Sequence, residues 1–106
     1  MDVAAFERTL SDPAPPSGLS PALEALWYER RGDWTRAHDI AQDDDGEDAA
    51  WVHAYLHRRE GDQSNAAYWY RRAGKPIVRG DMDQEWRALV SALLRHEASF
   101  ATKGAK

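Results

Sequence analysis

The sequence predicts an all-α fold, and three observations carry the prediction. Apolar residues recur at helical spacing in one segment after another. No stretch alternates apolar and polar residues between turn signals, as a half-buried strand would. Glycine followed by aspartate closes two of the segments, Gly32-Asp33 and Gly61-Asp62, and this dipeptide is a helix stop joined to a helix start.

The elements follow in order. Val3, Phe6 and Leu10 share one helical face, but a segment this short is helical only if that face docks on the rest. Pro13, Pro15 and Pro16 then remove donors and fix φ, so residues 1–19 read as an N-terminal arm with a Pro-rich linker. Residues 20–106 read as a single helical domain. Ser20-Pro21 is an N-cap with proline at the first helical position, and Leu23, Leu26, Trp27 and the stem of Arg30 make the inner face of the helix that follows. Asp33 starts a shorter helix with Trp34, Ala37, Ile40 and Ala41. After the break at Asp43-Asp44-Asp45-Gly46, Asp45, Glu47 and Asp48 favour the N-terminus of a third helix that runs to about Glu60. Asp62 starts a fourth, with Ala66, Trp69, Tyr70 and Ala73 inside, ending at Gly74-Lys75-Pro76. A connector over residues 77–83 leads to the cleanest stripe of all, Trp86, Leu89, Val90, Leu93, Leu94, Glu97 and Phe100, on a helix from about 82 to 101 capped by Asp81 or Asp83.

The two Gly-Asp junctions superpose with an offset of 29 residues, which also brings Ala25 onto Ala54, Arg30 onto Arg59 and Ala37 onto Ala66. The expected architecture is two stacked antiparallel helix pairs, with alanines allowing close approach and a C-terminal helix as cap. Gly32-Asp33-Trp34 with Ala37, and the run Ala67-Tyr68-Trp69-Tyr70-Arg71-Arg72-Ala73, resemble the tetratricopeptide and Sel1-like repeats over residues 20–76. Gln63 stands where those repeats carry the turn aromatic. The resemblance implies a scaffold that binds a protein or peptide and is not itself an enzyme. The block from His53 to Gly74 also resembles a stretch of small uncharacterised bacterial proteins, which implies no function.

Composition narrows the function classes. The chain has 106 residues and a net charge of −4, as expected of one ordinary globular domain. The absence of cysteine excludes thiol catalysis, thiolate metal sites and disulfides. There is no apolar run of the roughly 18 residues that suggest a membrane span, and no basic-then-apolar leader at the start, so the cytoplasm is the expected compartment. An acidic chain without a recognition motif is not expected to bind nucleic acid. With no phosphate loop and no nucleophile elbow, neither an enzyme nor a cofactor is expected. Residues 1–50 hold 4 basic and 12 acidic side chains, while residues 51–106 hold 10 and 6. Two antiparallel copies would set Asp43–Asp48 against Arg71–Arg79, so a homodimer is the expected state.

Two sets of side chains are candidates for a site. Trp51, Tyr55 and Arg58 recur at i, i+4 and i+7 on the third helix, and Tyr68 projects from the fourth. Aromatics with arginine suit a binding face, because they bury area at low entropic cost and offer fixed donors. The same residues would equally fill the core of a small bundle. The second set is His53, His57 and Glu60, which lie on one stripe of the third helix. Imidazoles one turn apart can share a divalent metal with a carboxylate as third ligand, although the glutamate of a HExxH site is absent. In the repeat register His57 falls on Tyr28, a packing position, where a half-buried histidine would donate to a neighbour. The acidic run at 43–48 fails as a calcium loop, because placing Gly46 at loop position six puts Ala41 and Val52 at the first and last ligand positions.

Overall fold

The computed structural model describes the backbone of residues 1–104 and the side chains of residues 1–97. The chain forms α1 (Val3–Arg8), a 3-10 turn (Thr9–Ser11), α2 (Pro21–Arg30), α3 (Trp34–Gln42), α4 (Glu47–Arg59), α5 (Gln63–Arg72) and α6 (Met82–Gly104). No strand occurs among the described residues, and none of their helices is long and apolar enough to cross a membrane.

Helix boundaries fall where capping chemistry puts them. The side chains of Asp2, Ser20, Asp33 and Asp62 accept from the N–H groups of Ala5, Leu23, Arg36 and Asn65, and Asp81 does the same for Gln84. Each such cap contributes about 1 kcal/mol by satisfying an otherwise orphaned donor. Gly32 and Gly61 take φ of 88° and 89°, the left-handed conformation that ends a helix. Around them the hydrogen bonds repeat. Gly32 donates to the Glu29 carbonyl and Asp33 to that of Tyr28; Gly61 donates to Arg58 and Asp62 to His57. The 29-residue offset in sequence is therefore also an offset in backbone geometry.

α2 packs on α3, α4 on α5, and α3 against α4, giving two stacked helix pairs. Ala25, Ala37, Ala54 and Ala66 are all buried at these junctions, where a larger side chain would force the helices apart. α2 and α4 form one layer, and α6 lies across both. Its Trp86, Leu89, Val90 and Leu93 interleave with Leu23, Leu26 and Trp27 of α2 and with Val52, Tyr55 and Leu56 of α4. Each of these large side chains stabilises the fold by roughly 1.5–3 kcal/mol through burial. The Trp86 indole N–H donates to the Leu26 carbonyl at 3.1 Å, and the Arg30 guanidinium covers its ring at 4.3 Å. Phe100, assigned to the same stripe from sequence, lies outside the described side chains.

Residues 1–12 are less loose than the reading as an arm suggests. Phe6 is fully buried and meets Trp86 at a ring separation of 5.9 Å. The Trp27 indole donates to Thr9 Oγ1, and Arg31 donates to the carbonyls of Leu10 and Asp12, both at 2.7 Å. The helical face was legible in Val3, Phe6 and Leu10; its receptor, built from α2 and α6, was not. Past the prolines, the Ser20 N–H donates to Glu97 at 2.7 Å and ties the start of α2 to α6.

Candidate metal centre

The four residues proposed as a binding face do not share an exposed surface. Tyr55 is fully buried, and its hydroxyl donates to the carboxylate of Glu29 at 3.3 Å. Arg59 meets the same carboxylate at 3.1 Å. Burial holds the Glu29 carboxyl above its ordinary range against the pull of Arg59, and raises the Tyr55 phenol as well. Arg58 is also buried, paired with Glu85 of α6 at 2.5 Å and donating to the Gly80 carbonyl. Tyr70 donates to the other oxygen of Glu85. The face of α4 that bears Tyr55 and Arg58 is covered by the chain's own α6, so both serve the core. Trp51 is half-buried beneath the Lys75 ammonium, 4.3 Å above its ring. Tyr68 alone of the four is well exposed, at 46%.

On the side of α4 that faces α3 and α5 the histidines assemble. His53 and His57, one turn apart, stack at a ring separation of 4.8 Å. The residue that joins them is His38 of α3, one turn after Trp34. Its Nε2 lies 3.0 Å from Nε2 of His53, and its ring stands edge-on to both His53 and His57. One ligating nitrogen from each of the three lies within 4.8 Å of the others. Two indoles wall the cluster. Trp34 stacks on His38 at 4.9 Å and donates to the Leu56 carbonyl at 2.8 Å, while Trp69 of α5 stacks on His53 at 3.9 Å.

Glu60, expected as a third ligand, takes a different place. It accepts from His57 Nδ1 at 2.6 Å, which leaves Nε2 of that ring available to another partner. Asp62 lies close to the same pair, but its oxygens accept from Asn65 at the start of α5, bonds that also lower its pKa. The cluster thus comprises three imidazoles with one fixed from behind by a carboxylate.

Electrostatics favour the uncharged form of His53 and His38. Burial, and the proximity of His38 and His57, push His53 down to about 4. Burial and His57 lower His38 in the same way. An uncharged imidazole is the form that binds a metal. The 3.0 Å contact between the two Nε2 atoms requires one to donate and the other to accept, so one imidazole moves its proton to Nδ1 when both turn lone pairs to an ion.

His38 escaped the reading of the sequence because it lies on another helix, 15 residues before His53. The signal lay in the repeat itself: the helix closing the first pair packs against the helix opening the second. Trp34 and His38 are spaced i, i+4, as are His53 and His57, so two such stripes on adjacent helices can meet. Compared with protein-family models, with curated proteins and with solved structures, the chain matches none of them.

Proposed function

We propose that this protein binds a transition-metal dication of the zinc class through His38, His53 and His57. The supporting observation is the convergence of three imidazoles from two helices within 4.8 Å, with Glu60 behind His57. Around a tetrahedral ion with Zn–N bonds of about 2.0–2.1 Å, ligand nitrogens stand about 3.3 Å apart. The separation of His38 and His53 is already near that edge length, so binding requires this pair to re-aim its lone pairs rather than to change its spacing. Nitrogen donors without thiolate favour zinc, copper, nickel or cobalt over magnesium or calcium. The Glu60–His57 contact is the carboxylate–histidine arrangement that orients a metal ligand and raises its basicity.

Isothermal titration of the untagged, chelator-treated protein with zinc tests the proposal. One ion per chain is expected, and His38→Ala is expected to weaken binding by more than about 100-fold, since loss of an outer-shell partner alone costs 10–100-fold. An affinity unchanged by His38→Ala rules the site out. A second reading, the helical-repeat interaction module, is supported by Tyr68, an exposed aromatic on α5 with the exposed Arg71 and Arg72 following it. Tyr68→Ala would abolish capture of a partner in that case and leave zinc binding unchanged.

A further inference from the structure

Three protein nitrogens leave a four-coordinate ion one ligand short, and the surroundings indicate what completes it. Two carboxylates stand beside the cluster, those of Glu60 and Asp62, and both are engaged: Glu60 on His57 Nδ1, Asp62 on the first turn of α5. Glu60 orients His57 by accepting from Nδ1, so moving Glu60 into the coordination sphere would give up the orientation of a ligand. The protein side of the site therefore has three donors and a committed outer carboxylate, the composition of an open zinc site.

Charge gives the chemical class of the missing ligand. Imidazoles bind as neutral donors, so a dication on His38, His53 and His57 keeps its full formal charge of +2. The stacked rings of Trp34 and Trp69 offer no hydrogen-bond acceptor to compensate it. Glu60 offsets part of that charge from beyond the ring of His57. An anion at the fourth position offsets it directly. Access is given by the burial pattern: His53 and His57 are buried, but His38, Trp34 and Trp69 are half-buried, so the cluster reaches solvent along that edge.

We infer that the fourth coordination position is open and takes a small monoanion from solution. This rests on the metal reading above and extends it from a site that holds an ion to a site that uses the ion to hold an anion. The exchange would be a ligand substitution: a bound water leaves, one lone pair of the anion takes its place, and no electron is transferred.

Cobalt(II) reports the fourth ligand through its visible ligand-field bands. The untagged full chain, stripped by chelator, is loaded with one equivalent of cobalt and titrated with acetate and, separately, with azide at fixed ionic strength. The expected result is intense bands of a four-coordinate ion that shift saturably with either anion, with one anion per cobalt, and that are lost in His38→Ala. Bands that form and then ignore both anions overturn the open position while leaving the metal site standing. Failure of cobalt to bind at all overturns both. Circular dichroism of His38→Ala in the far ultraviolet, expected to match the parent, separates loss of a ligand from loss of the fold.

Discussion

At the residue scale, each imidazole of the cluster has a different duty, and substitutions should separate them. His38 and His53 face each other through Nε2, whereas His57 is fixed through Nδ1 by Glu60. Glu60→Gln keeps the size of the side chain but weakens the acceptor, so zinc affinity should fall about 10–100-fold with little change in the melting temperature of the metal-free protein. A titration of Glu60→Gln that superposes on the parent would show that the carboxylate does not orient the ligand. The metal-free protein should also lose stability in mild acid. His53 binds its proton only near pH 4 when folded, but near 6.5 when unfolded. As the pH falls between those values the unfolded chain takes up a proton that the folded chain refuses, so stability is complete above about 6.5 and declines toward 4. His38 acts in the same direction. Urea melts at pH 7 and pH 5 should differ by on the order of 1 kcal/mol from His53, and His53→Gln should shrink the difference. A midpoint that rises on acidification would contradict the assignment. Glu60 itself was legible in the sequence as a partner of His57, but its role was not, because i, i+3 spacing says that two groups meet without saying which atom is taken.

At the element scale, the glycine turns and α6 decide the arrangement. A Cβ on Gly32 or Gly61 would meet nothing within 4 Å, so the cost of alanine there is conformational only. At φ near +88° that cost is about 1–2 kcal/mol for each of Gly32→Ala and Gly61→Ala, read as equal losses in chemical melts, with asparagine better tolerated than alanine. Unequal losses would mean that the two junctions are not the same device. These turns were readable because their cause is local: a left-handed residue, an aspartate cap and an alanine-lined crossing all lie within a few positions. What covers α4 was not readable. Trp51, Tyr55 and Arg58 have the spacing of a face, but whether it meets solvent or α6 depends on Glu85 and Gly80, more than 20 residues away. Arg58→Ala strands a buried Glu85 carboxylate and should destabilise the protein by about 3–5 kcal/mol. A residue presented only to a partner would leave thermal unfolding unchanged.

At the scale of the whole molecule, α6 crossing both pairs accounts for how so small a chain accommodates five tryptophans. Trp27 and Trp86 lie in the main core, Trp34 and Trp69 wall the histidines, and Trp51 sits under Lys75. Trp34 and Trp51 both make their contacts within the chain, which leaves Tyr68 as the exposed aromatic of α5. The all-α class was legible because helical periodicity recurs along the chain and a capping side chain opens every α-helix except α4. The histidine cluster was legible only by half, since His53 and His57 share a helix but His38 reaches them through the stacking of one pair on the next. An ion at that junction would tie the pairs together. Zinc at about 100 times its Kd should stabilise the fold by about 2.7 kcal/mol, a rise in melting temperature of roughly 10–20 °C for a domain of this size. No shift at saturation would mean that zinc also binds the unfolded chain or does not bind at all. The most direct test of the central claim is anomalous diffraction at the zinc edge from crystals of the untagged protein grown with zinc. One strong peak is expected within about 2.0–2.1 Å of Nε2 on His38, His53 and His57. A peak found only at an exposed pair such as His96 and Asp48, with the three imidazoles left bare, would contradict it.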